Sequence, residues 1–253
     1  MLARRELGED KSTPIPEQDG NECVLLIHFN GDITDSSKYN WDIKNYAPDL
    51  EFPDGKFNKG VQAPEVTGGN VGYLQLPDKI FDKVLLGDWT IEFWANFENY
   101  PSETISKYQN FLKFCNIDDP DTIHGLSIDV FNTSSGQYYL DVRIPEWKDD
   151  ETGHSISGAG LQETYGMAHC CIMKKFSSIY IFINGELEDR VAINSDTIVP
   201  FSGSSNTIYI PIEFLSSYSR TNAIIDELRI YSKALYSTRG FTPPTSAFTG
   251  TGD

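Results

Sequence analysis

Residues 89–97, WTIEFWANF, alternate without a break: Trp89, Ile91, Phe93, Ala95 and Phe97 fall on one face, Thr90, Glu92, Trp94 and Asn96 on the other. A period of two held along the whole run predicts a strand. Shorter runs of the same kind recur: VLLIHF (24–29), GYLQL (72–76), YQNFLKFC (108–115), GLSIDVF (125–131) and QYYLDVRI (137–144), each bounded by turn-forming residues. MAHCCIMKK (167–175) and SIYIFIN (178–184) meet at a tight connection, Phe176-Ser177. Asn184-Gly185 is a hairpin turn of the type that needs positive φ, with ELEDRVAI as the partner strand. NTIYIPI (206–212) and AIIDELRIY (223–231) complete the set. In the last of these, strict alternation groups Ile224, Asp226, Leu228 and Ile230, so that Asp226 breaks an apolar face. No segment keeps a 3.6-residue apolar period, and residues 80–86 offer one helical turn at most. Many strands without helices predict two packed antiparallel sheets.

Outside the strands, residues 1–21 are charged, contain proline and lack periodicity, which predicts an N-terminal arm. Residues 22–253 show no repeat and no composition break, so they form one domain. The longest irregular stretch is PEWKDDETGHSISGAGLQETYG (145–166), and ENYPSETIS (98–106) is a lesser one. Loops of such length usually carry function or disorder.

Composition narrows the picture. The chain has 253 residues, 13% of them aromatic, enough for a core that needs no disulfide or metal staple. Its 37 acidic residues against 20 Lys and Arg give a net charge of −17, which leaves no basic stripe for nucleic acid. The four cysteines (23, 115, 170, 171) have no C-x-x-C spacing, which removes support for a zinc site. Cys170 and Cys171 point to opposite faces of a strand, and all four read as reduced small hydrophobes, with Cys23–Cys115 the one pairing left open. No apolar run resembles a signal sequence or a membrane span, which predicts synthesis in a cytoplasm without membrane insertion.

Four segments together resemble a known family. They are VLLIHFNGDITDSS (24–37), KFNKGVQ with GYLQLP (56–77), LGDWTIEFWANF (86–97), and IFINGELE with IIDELRIYSKAL (181–188, 224–235). The chain resembles the laminin-G-like branch of the concanavalin A-like lectin/glucanase superfamily over residues 24–247. That resemblance implies an all-β, two-sheet antiparallel jelly-roll sandwich. FTPPTSAF (241–248) further resembles the ending of copies found in bacteriophage structural proteins: tail fibre, baseplate or capsid decoration. Two departures stand out. The family often carries Trp-His-His where this chain has Met167-Ala168-His169, and FNGD shifts the first carboxylate to Asp32.

Glycoside hydrolases of the superfamily place paired carboxylates on one strand, and no such spacing occurs: Glu186, Glu188 and Asp189 lack the third acid, Asp226-Glu227 are neighbours, and Glu92 stands alone. No nucleophile elbow, H-E-x-x-H or phosphate loop is present. Asn30 and Asp32 after the first strand, with Asp226 on the last, are oxygen ligands that would suit a structural Ca²⁺; the alternative is that these side chains lock turns. Sugar binding calls for exposed aromatic rings beside polar groups, which nominates Trp147, Asp149 and Tyr165 in the long loop and Trp41 in KYNWD, with loop anchoring as the alternative for the tryptophans.

The resemblance therefore implies a non-enzymatic virion structural protein, a surface decoration or adhesion module for host or mucosal glycans. The arm would attach it to other virion proteins, self-association follows by analogy, and the location would be the virion surface. The alternatives are a free bacterial carbohydrate-binding module and, with least support, a glycoside hydrolase.

Overall fold

A computed structural model describes residues 22–47, 50–62, 73–80, 87–96, 107–116, 119–132, 138–144, 154–157, 166–193, 206–211 and 224–250. The arm therefore lies outside the described residues, as does ENYPSETIS. The described strands are β1 (Cys23–Ile27), β2 (Lys44–Asn45), β3 (Tyr73–Leu76), β4 (Trp89–Asn96), β5 (Lys107–Asn116), β6 (Asp119–Asn132) and β7 (Tyr138–Ile144). They continue with β8 (His154–Ser157), β9 (Ala168–Lys175), β10 (Ser178–Ile183), β11 (Glu186–Ala192), β12 (Asn206–Pro211) and β13 (Ile224–Tyr231). One 3₁₀ turn, Asp78–Ile80, is the whole of the described helical content. The strands form two antiparallel sheets, ordered β1-β13-β4-β9-β10-β11 and β2-β3-β12-β5-β6-β7-β8.

Alternation builds the space between them. Trp89, Ile91, Phe93 and Ala95 of β4 join Ala168, Cys170 and Ile172 of β9 and Ile179, Ile181 and Ile183 of β10. The facing sheet contributes Leu74 and Leu76 of β3, Leu112 of β5, Leu126 and Ile128 of β6, and Leu140 and Val142 of β7. Each large side chain so buried contributes about 1.5–3 kcal/mol of transfer free energy. Cys23, Cys170 and Cys171 are buried and free, so Cys23 does not pair with Cys115. Burial pushes the Cys23 thiol up to about 12 and raises those of Cys170 and Cys171, which leaves them inert.

Three expectations change. The long irregular stretch contains a strand, β8, which extends the hairpin begun by β7 through the pair Ile144↔His154. The strand predicted at 125–131 begins earlier, so that Asp119 and Asp121 lie in the backbone of β6. β13 does not alternate strictly: its pairing with β4 slips between Asp226↔Trp94 and Arg229↔Glu92, and Glu227 in the bulge has φ +55°. One extra residue reverses the facing of everything before it. Ile225, Leu228 and Ile230 thus share the inner core, while Asp226 joins Trp94 on the outer face.

Much of the six-stranded sheet is buried on that outer face as well. Leu26, Trp94 and Tyr231 pack with Phe248, and Cys171, Met173, Tyr180 and Phe182 pack with Ala234, Tyr236 and Phe241. Most of the cover comes from the closing segment, 232–250, while Phe57 and Met167 complete it around Trp94. The segment is docked at the β10–β11 turn, where Asn184 and Gly185 have φ +50° and +81° and Phe241 N donates to Gly185 O at 2.9 Å. A Cβ on Gly185 would lie 2.0 Å from Phe241 O. Gly185→Ala should therefore cost more than about 2 kcal/mol in urea denaturation, since it adds a backbone clash to the left-handed strain. Gly31 also has a positive φ, +96°, but a Cβ there meets nothing within 4 Å. Gly31→Ala should lose only about 1 kcal/mol.

Candidate functional site

The closing segment seals a group of side chains whose types, in the open, would suggest catalysis. Glu92 projects outward from the middle of β4 because its neighbours Ile91 and Phe93 occupy the core. Its Oε1 accepts from Arg229 Nε at 2.9 Å and lies 2.7 Å from Arg229 Nη2. Its Oε2 accepts from the Tyr236 hydroxyl at 2.7 Å and from His169 Nε2 at 3.1 Å. Arg229 Nη1 donates to Thr249 O at 3.0 Å, and the guanidinium lies 4.3 Å from the centre of the Phe248 ring. Glu92, His169 and Arg229 are each 0% exposed. Burial alone would raise the Glu92 carboxyl, but the His169 hydrogen bond and the Arg229 charge outweigh it and hold the pKa below the ordinary glutamate value. A carboxylate so engaged has no free lone pair for a substrate, so the cluster fastens the closing segment to the sheet. None of these partners is a second carboxylate, and they lie 77, 137 and 144 residues away along the chain.

A second set of polar contacts surrounds the β13 bulge. Glu227 accepts from Phe248 N at 2.8 Å and from His28 Nδ1 at 2.8 Å. Asp226 Oδ2 accepts from the amides of Lys56 and Phe57 at 2.7 and 3.1 Å, while Oδ1 is buried without a well-formed hydrogen bond. Burial pushes the Asp226 carboxyl up to about 6, against the pull of the Phe57 and Lys56 amides. The hydrogen bond to Glu227 raises His28 above its ordinary value, with burial opposing.

The residues nominated from sequence fall as follows. Trp147, Asp149 and Tyr165 lie outside the described residues. Trp41 is half-buried; its indole N–H donates to Val24 O at 2.8 Å and its ring stacks on Tyr39 at 5.1 Å, so it anchors its loop. Asn30 Oδ1 accepts from Lys59 N at 3.1 Å, and Asp32 Oδ1 accepts from Thr34 N at 2.9 Å. Asn30 and Asp226 thus both fasten the 54–60 loop, while Asp32 closes its own turn. All three present oxygens to N–H groups, and no group of three His, Cys, Asp or Glu gathers among the described residues. That donor set does not fit a calcium ion. The Asp35-Ser36-Ser37 motif is a turn lock: buried Asp35 accepts from the backbone of Leu26, Ser37 and Trp41 and from the Ser37 hydroxyl.

Two features escaped the sequence. Asp129 of β6 stands opposite Asp141 of β7, both 1% exposed and alternating with core residues, so they share the outer face of the seven-stranded sheet. Ser127 Oγ donates to Asp129 Oδ2 at 2.6 Å. The other feature is the stack of Tyr46 on Tyr73, with ring centroids 4.8 Å apart. Both are cross-strand pairs, which no spacing within a single strand reveals.

Replacing Glu92 by Gln leaves Arg229 buried without its counter-charge and should cost about 3–5 kcal/mol in denaturant unfolding, with Arg229→Met added on top recovering part of the loss. Asp226 and His28 both bind protons more tightly in the fold than in the unfolded chain. Their stabilisation is complete below their ordinary values and is lost as pH rises through the folded ones. Thermal melts should show stability falling from pH 4 to 6 through Asp226, and falling further above pH 6.5 through His28. Asp226→Asn should flatten the acidic part of that profile alone, since an amide oxygen still accepts from Lys56 and Phe57.

Comparison with known proteins fits this architecture. Among curated proteins, none matches the sequence. The binding domain of botulinum neurotoxin DC, solved in complex with rat synaptotagmin II, superposes with a TM-score of 0.60 at 15% identity over 85% of this chain and 49% of its own. A botulinum neurotoxin type C structure, titled for cell entry that depends on interaction with two ganglioside molecules, gives 0.57 at 17% identity over 85% and 49%. The serotype G binding domain gives 0.58 at 13% over 85% and 48%. The chain spans about half the length of these structures. A laminin-G-type family model described as the concanavalin A-like lectin/glucanases superfamily matches residues 68–239, more than half of the chain. With its two antiparallel sheets, the chain belongs to that superfamily.

Proposed function

We propose that this chain is a non-enzymatic glycan-recognition module carried on the surface of a bacteriophage particle. The lectin-type fold and superfamily membership support glycan recognition, as do the ganglioside and SialylT named for the neurotoxin structures it resembles. The non-catalytic part rests on one observation: Glu92, His169 and Arg229, the acid–base set on the outer face of the six-stranded sheet, are 0% exposed beneath residues 232–250. The virion part rests on the FTPPTSAF ending and on the charged arm, 1–21, as attachment segment. No described helix is long and apolar enough to cross a membrane. A second reading, glycoside hydrolysis, draws on Asp129 and Asp141, which are cross-strand partners on one face, because such enzymes work with two neighbouring carboxyls. Burial of both at 1% exposure argues against it, since a sugar must reach at least one of them.

On a glycan array the purified chain should bind saturably, and incubation with the bound glycan should release no reducing sugar. Sugar release abolished by Asp129→Asn would transfer the assignment to the hydrolase reading. Mass spectrometry of purified particles should find the chain, and deletion of 1–21 should remove it from them. Particles that keep normal amounts of the truncated chain would refute the arm's role.

A further inference from the structure

Residues 232–250 cover the central strands of the six-stranded sheet's outer face, which turns attention to the other sheet. At the β2–β3 edge of the seven-stranded sheet, Leu74 and Leu76 point into the core, and Tyr73 and Gln75 therefore face outward. β2 pairs Lys44 with Gln75 and Asn45 with Leu74, and one residue on, Tyr46 N donates to Tyr73 O at 2.9 Å. Cross-strand partners share a face, so Lys44, Gln75, Tyr46 and Tyr73 form one outward patch. The two tyrosine rings stack at 4.8 Å with 26° between their planes, and Tyr46 remains 50% exposed, among the most exposed large hydrophobic side chains of the described residues.

From this geometry we propose that Tyr46 and Tyr73, flanked by Gln75 and Lys44, form a stacking platform for the CH face of a neutral hexopyranose in a glycan chain. The inference rests on the glycan-recognition reading and assigns it a place. An exposed ring offers a flat apolar surface to the axial C–H groups of a sugar, while the Gln75 amide and the Lys44 ammonium stand beside it to meet hydroxyls. The platform is fixed before any ligand arrives. Tyr73 backs Tyr46 on one side, and Asn45 Oδ1 accepts from Ala47 N at 2.8 Å, closing a turn around Tyr46. Such preorganisation spares the ordering cost of binding. Charge favours a neutral sugar: Lys44 is already ion-paired with Asp42, and the chain as a whole carries −17, so among the described residues of the patch a carboxylate-bearing sugar meets no free counter-charge.

The test uses the full chain, with isothermal titration and saturation-transfer NMR against cellotetraose, maltotetraose, an N-acetyllactosamine tetrasaccharide and 3′-sialyllactose. At least one neutral probe should bind more tightly than 3′-sialyllactose. Tyr46→Ala should weaken that binding by about tenfold or more, and Tyr46→Phe should stay within about twofold because the ring is retained. Circular dichroism and a thermal melt establish that Tyr46→Ala is folded; Gln75→Ala, with a smaller loss, reads the same platform by a second route. Full affinity in both alanine variants would overturn the platform and leave glycan recognition standing. Preference for 3′-sialyllactose would overturn the neutral-sugar assignment. Binding to none of the probes or of a wider array would overturn both readings together.

Discussion

The Glu92–Arg229 ion pair is the interaction on which the outer half of the molecule depends. Two charges taken out of water cost several kcal/mol each, and their attraction offsets this only when every remaining donor and acceptor is matched. Here the groups that match the Glu92 oxygens and Arg229 Nη1 come from far along the chain. Tyr236 and the carbonyl of Thr249 belong to the closing segment, and His169 belongs to the next strand of the sheet. Remove the segment and Arg229 loses its Thr249 partner and Glu92 its Tyr236 partner, with the pair opened toward solvent. The pair and the segment therefore stabilise each other, and neither is explained by apolar area alone.

A single extra residue in β13 makes that geometry available. Without the bulge, Asp226, Leu228 and Ile230 would share a face and a carboxylate would enter the sandwich core. With it, Ile225, Leu228 and Ile230 fill the core, and Asp226 and Arg229 both reach the outer face. The cost is a left-handed Glu227, φ +55°, which a β-region residue would not adopt unaided. Hydrogen bonds from Phe248 N and His28 hold it there, so the same tail that covers Arg229 also fixes the bulge that presents Arg229.

This explains how the sequence could be read so far and no farther. The strands of 89–97, 167–175 and 178–184, with the Asn184-Gly185 turn, follow from period-two alternation and turn chemistry, both of which are local. The facing of Asp226 does not, because a bulge shows only in the pairing of two strands. The partners of Glu92 lie on other strands and on the tail, so its run shows only an isolated acid among apolar residues. The Tyr46–Tyr73 stack was hidden for a similar reason: β2 is two residues long and carries no periodicity. Trp41 was the more conspicuous aromatic, yet its indole N–H and ring are engaged in holding a loop.

The closing motif acquires a physical meaning from the same contacts. Phe241 stacks on Tyr236 with ring centroids 3.7 Å apart and meets Phe182 and His169 edge-on, while Phe248 packs with Trp94, Leu26 and Tyr231. Between these two anchoring rings stand Pro243 and Pro244, which have fixed φ and no N–H to leave unsatisfied. A segment crossing a sheet face cannot join its ladder, because the strands' own hydrogen bonds already lie in the plane of the sheet. Proline suits such a crossing, and aromatic rings at either end supply the attachment that ladder bonds cannot. In this chain FTPPTSAF is then a packing motif, with Phe241 and Phe248 as its anchors. Rings, prolines and the Thr249 carbonyl together roof the part of the sheet that carries the buried Glu92–Arg229 pair.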